Sequence, residues 1–99
     1  MIDFLKDINI SDIVIDKIKD NNNDAILFDL YCNMDNVIKI VKYLREINIC
    51  NIDDLLIYKV DLFLLDYDDL IKKFSKFNIP VFTDLVNNDY SSVDILFEE

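Results

Sequence analysis

"MDNVIKIVKYLREINI", residues 34–49, decides how the rest of this 99-residue chain reads. Val37, Ile40, Val41, Leu44 and Ile47 fall three or four residues apart, along one stripe of an α-helix. Thirty residues later, "YDDLIKKFSKFNI" (67–79) repeats the spacing with Tyr67, Leu70, Ile71, Phe74 and Phe77. The match runs past the helix end. Asn48 and Ile49 answer Asn78 and Ile79, and Ile52, Leu55 and Leu56 answer Phe82, Leu85 and Val86. A partial third copy sits thirty-nine residues upstream, where Ile2, Leu5, Ile8, Asn9, Ile10 and Ile13 answer Val41, Leu44, Ile47, Asn48, Ile49 and Ile52. The wider spacing implies an insertion. Residues 12–20 and 24–31 supply it as helices, with "NNND" (21–24) as the break and cap between them.

The pattern predicts an all-α fold: a compact array of about six to eight short helices built from helix-pair repeats of ~30 residues, forming one domain over 1–99. Cap chemistry is consistent with this. Asn51 precedes a helix carrying Asp53 and Asp54 in its first turn, where carboxylates meet the positive end of the dipole. Pro80 suits a first helical turn. Ser91 with Asp94 resembles a capping box. Asp35–Lys39, Asp68–Lys72 and Asp69–Lys73 are spaced as favourable pairs on the exposed faces, each contributing ~0.2–0.5 kcal/mol. A small α/β domain is the competing expectation, with "DAILFDLY", "VDLFLLD" and "VDILFEE" as buried strands. The absence of Gly weighs against its tight strand-to-helix turns.

More than half of the residues are apolar, which sets the chain apart from disordered sequences. Gly, His and Trp are missing, Ala, Pro and Arg occur once each, and Asn, Ile, Asp and Lys are abundant, as an AT-rich genome would produce. Codon bias does not explain 17 Asp against 3 Glu. Helix starts and turns favour Asp, so many short helices do explain it.

The net charge of −10 is spread along the chain rather than collected in a tail. Direct binding to nucleic acid or to an anionic membrane is therefore not expected, whereas a basic protein partner is. Solubility alone accounts for much of such acidity. "MIDFLKDINI" interrupts its apolar residues with charges, so no secretory leader is expected. Cys32 and Cys50 flank the helix of 34–47, too far apart to bond with each other. Two buried, reduced thiols and a cytoplasmic location are expected.

Composition removes most catalytic chemistry. Without His there is no Ser–His or Cys–His pair. Without Gly no phosphate cradle of the usual kind can be written. "DYDD" (Asp66, Asp68, Asp69) fails as a calcium loop, because Ile71 and Phe77 stand where Gly and Glu are required. Asp53 and Asp54 are adjacent on a helix, so their carboxylates diverge and do not suit a shared proton. Tyr43 lies off the Val37–Ile47 stripe, as does Ile38 on the other flank. A central helix buried over a wide arc is favoured over an exposed patch. Phe63, Leu64 and Leu65 are expected in the core.

Over residues 37–86, the helix end "YLREINI" followed by "NIDDLL" resembles the helical repeats of mitochondrial transcription termination factors. Those repeats stack into a solenoid that binds nucleic acid through basic residues. This chain lacks their prolines at the matching stations and carries the opposite charge, so the resemblance implies architecture and no function.

The primary functional expectation is a non-enzymatic, acidic protein-interaction module. Asp53, Asp54, Asp66, Asp68, Asp69 and Tyr43 are its candidate partner-binding surface, and a protein with a basic face is its partner. The alternative is a nucleic-acid-mimicking inhibitor from a phage or mobile element, occupying the groove of a restriction or CRISPR nuclease. A weaker alternative is an Asp-based metal-binding protein. No cofactor is expected.

Overall fold

The fold is that of a computed structural model, which describes residues 1–98. Six α-helices run along the described residues: α1 (Asp12–Asn21), α2 (Asp24–Cys32), α3 (Met34–Glu46), α4 (Ile52–Tyr58), α5 (Tyr67–Phe74) and α6 (Ile79–Asn88). Three 3₁₀ segments complete it: an N-terminal one (Asp3–Ile8), a middle one (Val60–Leu64) and a C-terminal one (Tyr90–Phe97). The described residues contain no strand, so the α/β alternative is overturned. "DAILFDLY" is α2, and "VDLFLLD" and "VDILFE" lie largely in 3₁₀ segments; Glu99, the last residue of that expected strand, lies outside the described residues.

α3 is the central element. It packs against the N-terminal 3₁₀ segment, α2, α4, the middle 3₁₀ segment and α5. Val37, Ile40, Val41 and Leu44 are fully buried, and Ile38 and Tyr43 on the flanks are partly buried, as expected of a helix covered over a wide arc. α1 lies on α4, and α6 lies on the C-terminal 3₁₀ segment. The buried apolar side chains form one cluster, and a radius of gyration of 12.8 Å fits a single compact body of this length. Phe63 is fully buried, while Leu64 and Leu65 are only partly so.

Two corners share one geometry. Asn48 adopts a left-handed backbone (φ 70°), its amide donates to the Arg45 carbonyl, and the Ile49 amide donates to Leu44 at 2.9 Å. Asn9 (φ 67°) repeats this with Lys6 and Leu5, both bonds at 3.1 Å. This is the Schellman ending, and Asn substitutes for Gly because its short polar side chain tolerates the left-handed region. Buried Ile49 and Ile10 close the apolar contact beyond each corner.

The third Asn-Ile step behaves differently. Asn78 is a helix start (φ −70°), and its side-chain oxygen accepts from the Val81 amide at 3.2 Å. The Cys50 amide is held by Asn87 Oδ1, and Pro80, in the matching place, has no N–H to offer. Pro80 sits instead in the first turn of α6, as predicted. The matched residues also part company in burial: Leu55 is buried and Leu85 is 53 % exposed, and Ile52 is buried and Ile13 is 70 % exposed. In the other apolar thirty-residue pairs both members are buried or partly buried, so burial alone does not establish the repeat.

Asparagine side chains join the helices. Asn36 on α3 donates to the Leu65 carbonyl at 2.7 Å and accepts from the Tyr67 amide at 2.9 Å, fixing the entry to α5. Asn21 donates to the Ile57 carbonyl at 2.8 Å, tying α1 to the end of α4. Asn51 stands at the start of α4 but does not cap it. Its Nδ2 donates to the Val86 carbonyl on α6 at 2.7 Å, and its buried Oδ1 has no partner among the described residues. Linking two helices takes precedence over capping there.

Other local expectations are corrected similarly. Asp89, rather than Ser91, starts the C-terminal 3₁₀ segment, accepting from the Ser91 amide at 3.0 Å and hydroxyl at 2.7 Å. Asp94 pairs with Lys59 at 3.0 Å instead of serving a capping box. None of the three expected pairs on α3 and α5 closes to within 4.0 Å; Lys73 Nζ donates to the Leu96 carbonyl at 3.0 Å instead. Asn23 caps α2 as predicted, accepting from the Ile26 amide at 2.9 Å.

Candidate functional site

The candidate residues divide between two places. Tyr43 and Asp68 come together beside Tyr67, while Asp66 and Asp69 do not line that groove. The Tyr43 ring meets the Tyr67 ring edge to face, with centroids 6.3 Å apart, and meets Phe74 in the same way at 5.5 Å. Tyr67 opens α5 between Asp66 and Asp68, so the ring contact places the acidic start of α5 beside α3. Lys39, Lys42, Tyr43, Glu46, Tyr67 and Asp68 line a shallow groove there. Burial is the main cause raising the Tyr43 phenol above its ordinary value, with Tyr67 and Glu46 adding to it. The groove mixes charges, and Lys39 and Lys42 face the same space as Asp68.

Asp66 is occupied locally, its Oδ2 accepting from the Asp68 amide at 3.1 Å. Among the described residues, no group of three Asp, Glu or Cys is arranged to hold a metal ion. Asp53 and Asp54 stand in the first turn of α4, exposed, and do not line the Tyr43 groove. The two thiols also depart from expectation. Cys32 and Cys50 are free and exposed, because Cys32 ends α2 on its outer side and Cys50 lies in the open corner after α3.

A further surface lies between α6 and the C-terminal 3₁₀ segment. Phe77 stacks on Phe82 with centroids 4.9 Å apart and planes 15° from parallel, forming its floor. Leu85 and Ile95, 53 % and 44 % exposed, stand on either side, with Ser91 and Ser92 along the groove. Val81, one turn from Leu85, is exposed as well, whereas the exposed Phe97 lines a separate cavity with Ile26, Tyr58 and Lys59. Isolated apolar side chains at a surface are ordinary, but a cluster on two packed elements is a mark of contact. A fragmentary signal was present in the sequence. Residues 77–98 contain four carboxylates (Asp84, Asp89, Asp94 and Glu98) and no Lys or Arg. Val81 and Leu85, four apart, sit beside the buried Phe82–Val86 stripe rather than on it. Matching Leu85 to the buried Leu55 concealed this.

The floor connects with the first groove. Phe82 meets Phe74 edge to face at 5.3 Å, so rings run in contact from Tyr67 through Tyr43, Phe74 and Phe82 to Phe77.

Compared with known proteins, the chain matches no family model, no curated sequence and no solved structure. The resemblance of residues 37–86 to termination-factor repeats finds no support there.

Proposed function

We propose that the chain is a non-enzymatic, acidic interaction domain that binds a basic protein partner. The observation that carries this is the surface of α6 and the C-terminal 3₁₀ segment, which presents Val81, Leu85 and Ile95 exposed on a chain of net charge −10. Exposed apolar side chains beside charge of one sign suit a partner that supplies apolar contact and the opposite charge. The non-enzymatic part rests on composition, which lacks the His and Gly that most nucleophile and phosphate chemistry employs. Lys39 and Lys42 in the Tyr43 groove favour a protein contact over imitation of a uniform row of phosphates. Two free, exposed thiols suit a reducing cytoplasm.

Affinity capture with the intact chain as bait tests the proposal, in nuclease-treated lysate at ~0.15 M salt. The expected result is a saturable protein partner that polyglutamate does not capture. Recovery of only those proteins that polyglutamate also captures contradicts it.

A further inference from the structure

We infer that the C-terminal 3₁₀ segment, Tyr90–Phe97, is a strap clamped by Lys59 and Lys73 that opens reversibly as a unit while α1 to α6 stay folded. It is a property of the free chain, and no partner is needed to produce it. The segment's helix type is unusual. Runs of 3₁₀ structure longer than three or four residues are uncommon because their hydrogen bonds are poorly aligned, yet this one has eight residues. Tyr90, Val93 and Leu96 stand three apart, so at three residues per turn they line up on one side. Val93 and Leu96 are buried there, and Tyr90 is half-buried. In an α-helix each step of three swings the side chain by about 60°, which takes Tyr90 and Leu96 off a common line. The 3₁₀ geometry therefore depends on what the segment lies on. Two fully seated side chains are a small anchor beside the four of α3.

The seat is undercut along its edges. The segment walls an open cavity of about 470 Å³ with Tyr58 and Lys59, another of about 410 Å³ with Phe77, Phe82 and Leu85, and one of about 410 Å³ with Lys73 and Lys76. Side-chain ties hold it across these spaces. Tyr90 stacks on Tyr58 with centroids 5.3 Å apart and planes 18° from parallel. Lys59 Nζ, just past α4, meets Asp94 at 3.0 Å, and Lys73 Nζ, on α5, donates to the Leu96 carbonyl at 3.0 Å. Ser92 Oγ donates to the Leu85 carbonyl at 3.3 Å. Each tie ends on the segment itself. Parting them leaves the helix-linking bonds of Asn21, Asn36 and Asn51 in place. Opening hinges between Asn88, the last residue of α6, and Asp89, and it takes the Ile95 wall away from the Phe77–Phe82 groove.

Amide hydrogen exchange of the intact chain, followed by NMR at low urea, tests this. The bonded amides of residues 92–97 are expected to share one protection factor, ~100-fold below that of the Val41 and Leu44 amides, with a weaker urea dependence. Lys73→Met and Lys59→Met each remove one tie. They should lower the segment's protection ~3- to 10-fold and ~2- to 5-fold, leaving α3 unchanged. Protection equal to that of α3, with the same urea dependence, overturns the strap, because the segment then opens only in global unfolding. Protection that declines residue by residue towards Glu98 is end fraying and overturns it as well. Lys variants that leave the segment at its wild-type protection, or lower it only together with α3, overturn the clamp and the strap with it.

Discussion

The side-chain amide of Asn87 grips the corner that opens at Asn48. Its Nδ2 donates to the Asn48 carbonyl at 3.0 Å, while its Oδ1 accepts from the Cys50 amide at 2.9 Å. Asn36 makes the same two-bond grip on Leu65 and Tyr67, in a more enclosed place. An amide carries a donor and an acceptor at the spacing of a backbone pair, which a carboxylate does not. Asn36→Ala should therefore cost ~1–3 kcal/mol and Asn87→Ala ~0.5–1.5 kcal/mol, because water replaces the lost partners more easily at the exposed corner. Urea denaturation midpoints measure both. The reverse order would contradict this account of the corners.

The left-handed corners yield a paired expectation. Asn48→Ala should destabilise by ~1–2 kcal/mol, since Ala lacks the local hydrogen bonding that makes Asn tolerant of φ 70°. Asn48→Gly should be near neutral or stabilising. Asn78→Gly should behave differently, removing a helix cap and lowering stability by a few tenths of a kcal/mol. Thermal unfolding of the three variants separates the two roles of one dipeptide.

Tyr43 has its phenol raised chiefly by burial. A value raised by folding means that the neutral phenol is favoured in the native state. The associated stability is complete below about pH 10 and is lost as pH rises through the folded value. Absorbance titration of the tyrosines should show a component above the ordinary range, which Tyr43→Phe removes. An unchanged curve in that variant would place the component elsewhere.

Asp89 has the opposite sign. Two hydrogen bonds from Ser91 hold its carboxylate below the usual range. Its contribution is present above the unfolded value, ~3.9, and is lost as pH falls through the lower folded value. The Ser91 amide resonance should report a titration below the ordinary Asp value, and Ser91→Ala should move Asp89 upward.

Cys32 and Cys50 should both react with a thiol reagent in the native state, without prior unfolding. Two fast equivalents, counted by mass, are expected. Slow modification that follows global unfolding would restore the buried assignment that sequence suggested.

The helices were readable because a 3.6-residue stripe is written into each of α3 and α5, and because Asn and Asp mark their starts. The Asn-Ile corners were only half readable. One dipeptide ends a helix at 9 and 48 and begins one at 78, where α5 has already ended at Phe74 and Pro80 enters the first turn of α6. Of the candidate surface, Tyr43 and Asp68 line one groove, which Asp66 and Asp69 do not. Asp53 and Asp54 stand apart on α4. Leu85 was misread because periodicity tells which side chains share a face, not what packs opposite that face. Leu55 meets a core, and Leu85 faces a groove open to solvent.

The central claim is that the exposed apolar surface of α6 and the C-terminal 3₁₀ segment is where a basic partner binds. Amide chemical-shift mapping of the isotope-labelled chain, titrated with a basic amphipathic Leu/Lys peptide, tests it most directly. Shifts should concentrate on α6 and the C-terminal 3₁₀ segment, led by Leu85 and Ile95, and saturate at one site. Shifts spread evenly over exposed carboxylates, or centred on α2 or the Tyr43 groove, would contradict it.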